Sequence, residues 1–166
     1  LMNPAEVAQQ VLDGRADIGF IEGPDIPSGL GVRIVATDEL VVVTGPEHEW
    51  ARRASVEVDE LARTALVQRE PGSGTRTTYE SAVRPSEPPL LELNSVTAIK
   101  SAVITANVPT VLSSLAVEAD VRDGRLVRID VDGVSMRRRL RAVWNKQEPL
   151  RGPRRDFLDI AVSHSG

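Results

Sequence analysis

Residues 71–76 read Pro-Gly-Ser-Gly-Thr-Arg, and side chains of these types in this order can capture an anion. Gly72 and Gly74 let successive backbone N–H groups turn toward one point. If a helix starts here, its first turn adds partial positive charge and N–H groups without partners inside the helix. Ser73 and Thr75 offer hydroxyl donors, and Arg76 adds a full charge. A carboxylate, sulfate or phosphate matches that donor set. The same spelling also fits a tight turn in which Ser73 or Thr75 only caps the helix.

Weaker signals lie elsewhere. Asn94 and Ser95 open a second helical stretch after an apolar run. In open α/β sheets ligands gather outside the carboxyl ends of strands, but a plain N-cap explains these two residues as well. Glu22 and Gly23 end another apolar run. Gly23 would let the backbone approach a ligand, or would only close the strand. Asn3 precedes the first helix, as its cap, as a ligand contact or as both. In the run Met136-Arg137-Arg138-Arg139-Leu140-Arg141, a strand would put Arg137, Arg139 and Arg141 on one face. That pattern reads as a solvated face balanced by Asp130 and Asp132 rather than as a nucleic-acid contact.

No catalytic residue is identified, so no enzyme is expected. Gly72-Ser73-Gly74 lacks the flanks of a nucleophile elbow, and the loop lacks the Gly-Lys-Ser/Thr of a P-loop. Thr97 and Lys100 have Ser/Lys-hydrolase spacing, but with a threonine and no companion motif. There is no cysteine, which removes disulfides and thiolate chemistry. His48 and His164 are far apart in the chain. Neither a metal nor a cofactor is expected.

The elements that must hold the loop alternate. Helices are expected at residues 4–13, 56–62, 75–83, 95–106, 113–121 and 154–162. Apolar strand-like runs fall at 17–21, 32–36, 40–44, 66–69, 90–93, 108–112, 126–131 and 140–144. Such alternation is the signature of an α/β protein with mainly parallel sheets flanked by helices. The 166 residues, 41% hydrophobic and 27% charged, suit one domain or two small lobes. Aromatics at 3% cannot build a base-stacking surface, and a net charge of −4 argues against a main nucleic-acid contact. No run of ~18 apolar residues is present to span a membrane, and no signal peptide is visible at Leu1. The start, without Met and at the edge of a helix, reads as an internal fragment.

Several phrases in order resemble the effector-binding region of LysR-type transcriptional regulators. They are Leu12-Asp13-Gly14-Arg15-Ala16-Asp17-Ile18-Gly19 running on to Glu22-Gly23, and Asp38-Glu39-Leu40-Val41-Val42-Val43. Further on come Arg69-Glu70-Pro71-Gly72-Ser73-Gly74-Thr75-Arg76, the stretch from Val108 to Val117, and Gly124-Arg125-Leu126-Val127. The resemblance implies a two-lobed type 2 periplasmic-binding-protein fold, with residues 1–43 plus 146–166 in one lobe and 44–145 in the other. It implies that the first lobe lacks its N-terminal strand, helix and strand. It further implies a small anionic effector held between the lobes against residues 72–76, a homodimer or tetramer, and a cytoplasmic protein. DNA would be bound only through a helix-turn-helix that this chain does not contain. The rival is a solute-binding receptor of a transport system with the same fold. One departure concerns a turn: where the family has a Gly-rich spelling, this chain has Ala106-Asn107-Val108-Pro109.

Overall fold

The computed structural model describes residues 3–22 and 26–163. The chain divides into two compact units, Leu1–Asp38 with Arg138–Gly166, and Glu39–Arg137.

The first unit opens with α1 (Pro4–Leu12). Asn3 accepts from the Glu6 N–H at 2.9 Å, and its own N–H donates to Glu6 Oε2 at 3.0 Å. This reciprocal capping box, with Pro4 next in line, starts the helix. β1 (Gly19–Glu22) follows, and then β2 (Leu30–Thr44). The chain returns to this unit by β8 (Arg137–Asn145) and ends in α6 (Pro153–Ser163). Sheet order here is β1-β8-β2, with β1 antiparallel to β8. Ala8, Val11, Ile21 and Val143 form the core under α1. Val35, Ala142 and Leu158 form the core under α6.

β2 is one strand of 15 residues where the sequence suggests two. Thr37, Asp38 and Glu39 break the apolar pattern but not the backbone ladder. The strand passes from one unit to the other between Asp38 and Glu39, and β8 passes back between Arg137 and Arg138. Neither crossing is a loop, so no turn residue marks it.

The second unit continues through a short 3-10 helix (Glu49–Arg52), β3 (Ser55–Glu57), α2 (Val58–Ala62), β4 (Val67–Arg69) and α3 (Gly74–Val83). It ends with β5 (Leu91–Leu93), α4 (Val96–Ala106), β6 (Thr110–Ser113), α5 (Ser114–Arg122) and β7 (Val127–Asp132). The expected helix over 56–62 is thus split, because Val56 pairs with Val131 of β7 as a strand residue. In the sheet, β4 lies between β5 and β6, and β2 between β6 and β7, with β3 beyond β7. β4 runs parallel to both β5 and β6, while β2 runs antiparallel to β6 and β7.

Strand alternation splits the core into two layers. Leu40, Val42, Leu61, Leu66, Tyr79 and Val111 pack on the face covered by α2 and α3. Val41, Val43, Val67, Ile99, Val103 and Val117 pack on the face covered by α4 and α5. Burying each such side chain contributes about 1.5–3 kcal/mol. Where the family spelling has glycine, Asn107 adopts the left-handed conformation (φ 51°, ψ 42°) that ends α4. Asparagine tolerates this region because its short polar side chain can bond locally. Here Asn107 Oδ1 accepts the Glu47 N–H at 3.2 Å.

Candidate functional site

Because β4, β5 and β6 are parallel, their carboxyl ends share one edge of the sheet of the second unit. Each strand feeds a helix there: α3, α4 and α5 all begin at that edge. Three helix N-termini therefore bring their partial positive charge and first-turn N–H groups to one crest.

The central strand supplies the loop. Glu70, Pro71, Gly72 and Ser73 form a turn closed by the Ser73 N–H donating to Glu70 O at 3.2 Å. Gly72 sits at φ 85°, a conformation open to glycine, with proline one position earlier as such a turn prefers. Ser73 then takes the extended N-cap conformation (φ −65°, ψ 133°), and its carbonyl accepts from Thr77 N at 2.9 Å. The side chain caps nothing, although Ser73 is only 4% exposed. Gly74 and Thr75 in the first turn are also buried. The N-cap geometry is present while the hydroxyl remains available for another acceptor.

Arg76 is committed elsewhere. Its Nε lies 2.7 Å from Glu80 Oε1 and its Nη1 2.5 Å from Glu92 Oε1, and Nη1 also donates to Arg69 O at 3.3 Å. It ties α3 to β5. Nearby, Arg69 binds Glu70 through two nitrogens at 2.7 and 2.8 Å, which holds the Glu70 carboxyl below the usual carboxylate range. Glu70, Glu80 and Glu92 thus meet Arg69 and Arg76. The cationic side chains of this crest are matched by carboxylates, so backbone dipoles and hydroxyls provide its anion-attracting character.

Ser95 is the N-cap of α4 and accepts from Ala98 N at 3.4 Å, while Asn94 beside it is exposed. Ser113 and Ser114 occupy the third strand-to-helix junction. Sequence reasoning passed over them, although a hydroxyl pair between an apolar run and a helix has the same form as Asn94-Ser95.

The remaining candidates belong to the first unit. Asn3 serves as the α1 cap described above. Glu22 ends β1, and its carboxylate pairs with Arg138. Gly23 and its neighbour Pro24 lie outside the described residues, as does His164. In β8, Arg137 and Arg139 are exposed and Arg141 is half-buried, as a solvated face requires. Arg138 between them is buried and pairs with Asp38. The alternation that put its neighbours outward was itself the signal for this inward arginine. His48 caps the 3-10 helix through Nδ1, which accepts from Trp50 N at 3.1 Å, and burial pushes its pKa down. Among the described residues no cluster of His, Cys, Asp and Glu could hold a metal, and no helix is long and apolar enough to cross a membrane.

The family model for the LysR substrate binding domain matches residues 1–166. The chain belongs to that family. An uncharacterized HTH-type transcriptional regulator of Mycobacterium tuberculosis is 44% identical to this LysR domain over 172 residues, covering 98% of the chain and 55% of that protein. The chain thus spans about half the length of the curated relatives it matches. The regulatory domain of CcmR from Synechocystis PCC6803, solved in complex with 2-PG, has a TM-score of 0.86 at 23% identity. That likeness covers 98% of the chain and 79% of the CcmR domain. The effector binding domain of QuiR, solved with shikimate, has a TM-score of 0.84 at 13% identity, covering 99% and 78%. At these identities the likeness shows the fold of a LysR effector-binding domain, the two-lobed class expected from sequence.

Proposed function

We propose that this LysR domain senses a small anionic effector, which the crest of the second unit receives through residues 72–75. The carrying observation is Ser73: an N-cap residue, nearly fully buried, whose hydroxyl caps nothing at the edge where three helices begin. N–H groups and hydroxyls suit a carboxylate, sulfate or phosphate without a paired cation. CcmR and QuiR were solved with 2-PG and shikimate, which supports small ligands of this size and polarity for the present chain. Asn94, Ser95, Ser113 and Ser114 would select among ligands from the neighbouring strand ends.

The two units would serve as the two lobes of the sensor. The effector would shift a conformational balance by its differential affinity for two states. The readout would be transcription, through a DNA-binding segment and a homo-oligomer in the cytoplasm. The relatives named as HTH-type regulators favour this reading over a transport receptor.

Isothermal titration with sodium sulfate, sodium phosphate, 2-PG and shikimate tests the site. Ser73→Ala and Thr75→Ala should each weaken the best of these by about tenfold, the loss of one charge-assisted hydrogen bond. Unchanged affinity in both variants would remove the loop from the site.

A further inference from the structure

Among the described residues, Thr44 Oγ1, Gln68 Oε1 and the Tyr79 hydroxyl are buried without a hydrogen-bond partner. Buried polar groups are normally paired, so each such group calls for a reason. Thr44 lies at the end of β2 away from the crest, since β2 runs antiparallel to β6 and meets Ser113 at Leu40. Tyr79 lies further down α3 and packs in the core. Gln68 is different, because it lies beside the loop.

Gln68 precedes Arg69, the last residue of β4, and is 5% exposed. Leu66 belongs to the core under α2 and α3, and Val67 to the opposite core. Alternation therefore turns Gln68 to the α3 side. Val67 is opposite Thr110, so Gln68 stands level with Val111, which pairs with Val42; on its other side Gln68 pairs with Glu92. This row runs one pleat below Ser113 and the crest. Val42 and Val111 pack in it as core residues, and an apolar side chain at position 68 would continue them. Packing alone gives no reason for an amide.

The first turn of α3 reaches down to the same row. Arg76, third residue of the helix, lies 2.5 Å from Glu92 Oε1 and donates to Arg69 O at 3.3 Å. Gln68 thus lies at the foot of the turn that carries Ser73, Gly74 and Thr75. N–H groups and hydroxyls are the donors of that turn. Gln68 Oε1 adds an acceptor.

We propose that Gln68 determines the specificity of the crest: its carboxamide oxygen accepts a hydrogen bond from the effector. The site then selects an oxyanion that itself carries an O–H, as hydrogen phosphate and hydroxy acids do. An oxyanion with no proton to donate leaves Oε1 unpaired, and a site built for a hydroxyl rejects such a ligand. This rests on the anion-sensing reading and names the ligand class within it.

Sulfate and phosphate separate the two cases, since hydrogen phosphate keeps an O–H at neutral pH and sulfate has none. Isothermal titration with sodium sulfate and sodium phosphate at neutral pH and fixed ionic strength, in the wild type, Gln68→Met and Ser73→Ala, is the test. The wild type should bind phosphate about tenfold more tightly than sulfate, the worth of one hydrogen bond. Gln68→Met should bring the two affinities together by weakening phosphate. Ser73→Ala should weaken both and keep their ratio. A wild type that binds sulfate as well as phosphate overturns the proposal, even if Gln68→Met fails to fold. So does a Gln68→Met ratio equal to that of the wild type, or an equal loss of both anions. The two readings fail separately. If Ser73→Ala weakens both anions and Gln68→Met keeps the ratio, the loop stands and the selection falls. If Gln68→Met removes the preference while Ser73→Ala changes neither affinity, the reverse holds. If neither anion binds any form, both fall.

Discussion

Lys100 reaches from α4 to α5, with its Nζ 2.7 Å from Asp120 Oδ2 and donating to Ala116 O at 3.2 Å. Asp120 is only 6% exposed and also accepts from Arg125 Nε at 2.9 Å. One carboxylate therefore fixes the spacing of two of the three helices that begin at the crest.

The hydrogen bond from Lys100, aided by Arg125, holds the Asp120 carboxyl below its usual range. A carboxyl with a lowered folded value adds stability that is fully present above the unfolded value, about 3.9, and is lost as pH falls through the folded one. Thermal melts from pH 7 down to pH 2 should show this acid-side loss, and Asp120→Asn should flatten it. At pH 7 Asp120→Asn should cost about 2 kcal/mol, the scale of hydrogen bonds to a charged group. Equal slopes in both proteins would contradict the assignment.

Ser73 and Ser95 are both N-caps, but only Ser95 bonds its helix. Ser95→Ala should therefore destabilise by about 1 kcal/mol, the usual worth of a cap. Ser73→Ala should change stability by less than about 0.5 kcal/mol, while losing anion affinity. Paired urea denaturation and titration measure both. A stability loss in Ser73→Ala as large as in Ser95→Ala would make Ser73 an ordinary cap.

Arg76 is 15% exposed and bridges Glu80 and Glu92. Arg76→Met should destabilise by about 1–2 kcal/mol, because two carboxylates lose a largely buried partner. Its effect on anion affinity should be smaller than that of Ser73→Ala. The opposite ranking would return Arg76 to the role its charge first suggested.

The hydroxyl of Tyr79, a buried residue of α3, has no hydrogen-bond partner, and burial pushes its pKa up to about 12. A raised folded value means stability that is whole below the unfolded value, about 10, and lost as pH rises toward 12. Tyr79→Phe should be neutral or mildly stabilising at pH 7, since it removes an unsatisfied polar group. It should also be less sensitive to alkali between pH 10 and 12. Chemical denaturation at pH 7 and pH 11 checks both.

Much of this protein was legible in one dimension. The alternation of apolar runs with helical periods announced an α/β fold. The run Pro71-Gly72-Ser73-Gly74 announced a turn into a helix, because proline and glycine restrict the backbone locally whatever surrounds them. Cap residues such as Asn3 and Ser95 were readable for the same reason: their bonds close within three residues. What the tertiary structure decided was partnership across distance. Arg76 carried one meaning as a lone cation after a glycine loop and another once Glu92, 16 residues on, lay beside it. Arg138 was one arginine in a run until β1, β2 and β8 came together around it. Local backbone preference is written in neighbouring residues. Which charges meet depends on strand order, and strand order follows from the packing of the whole chain.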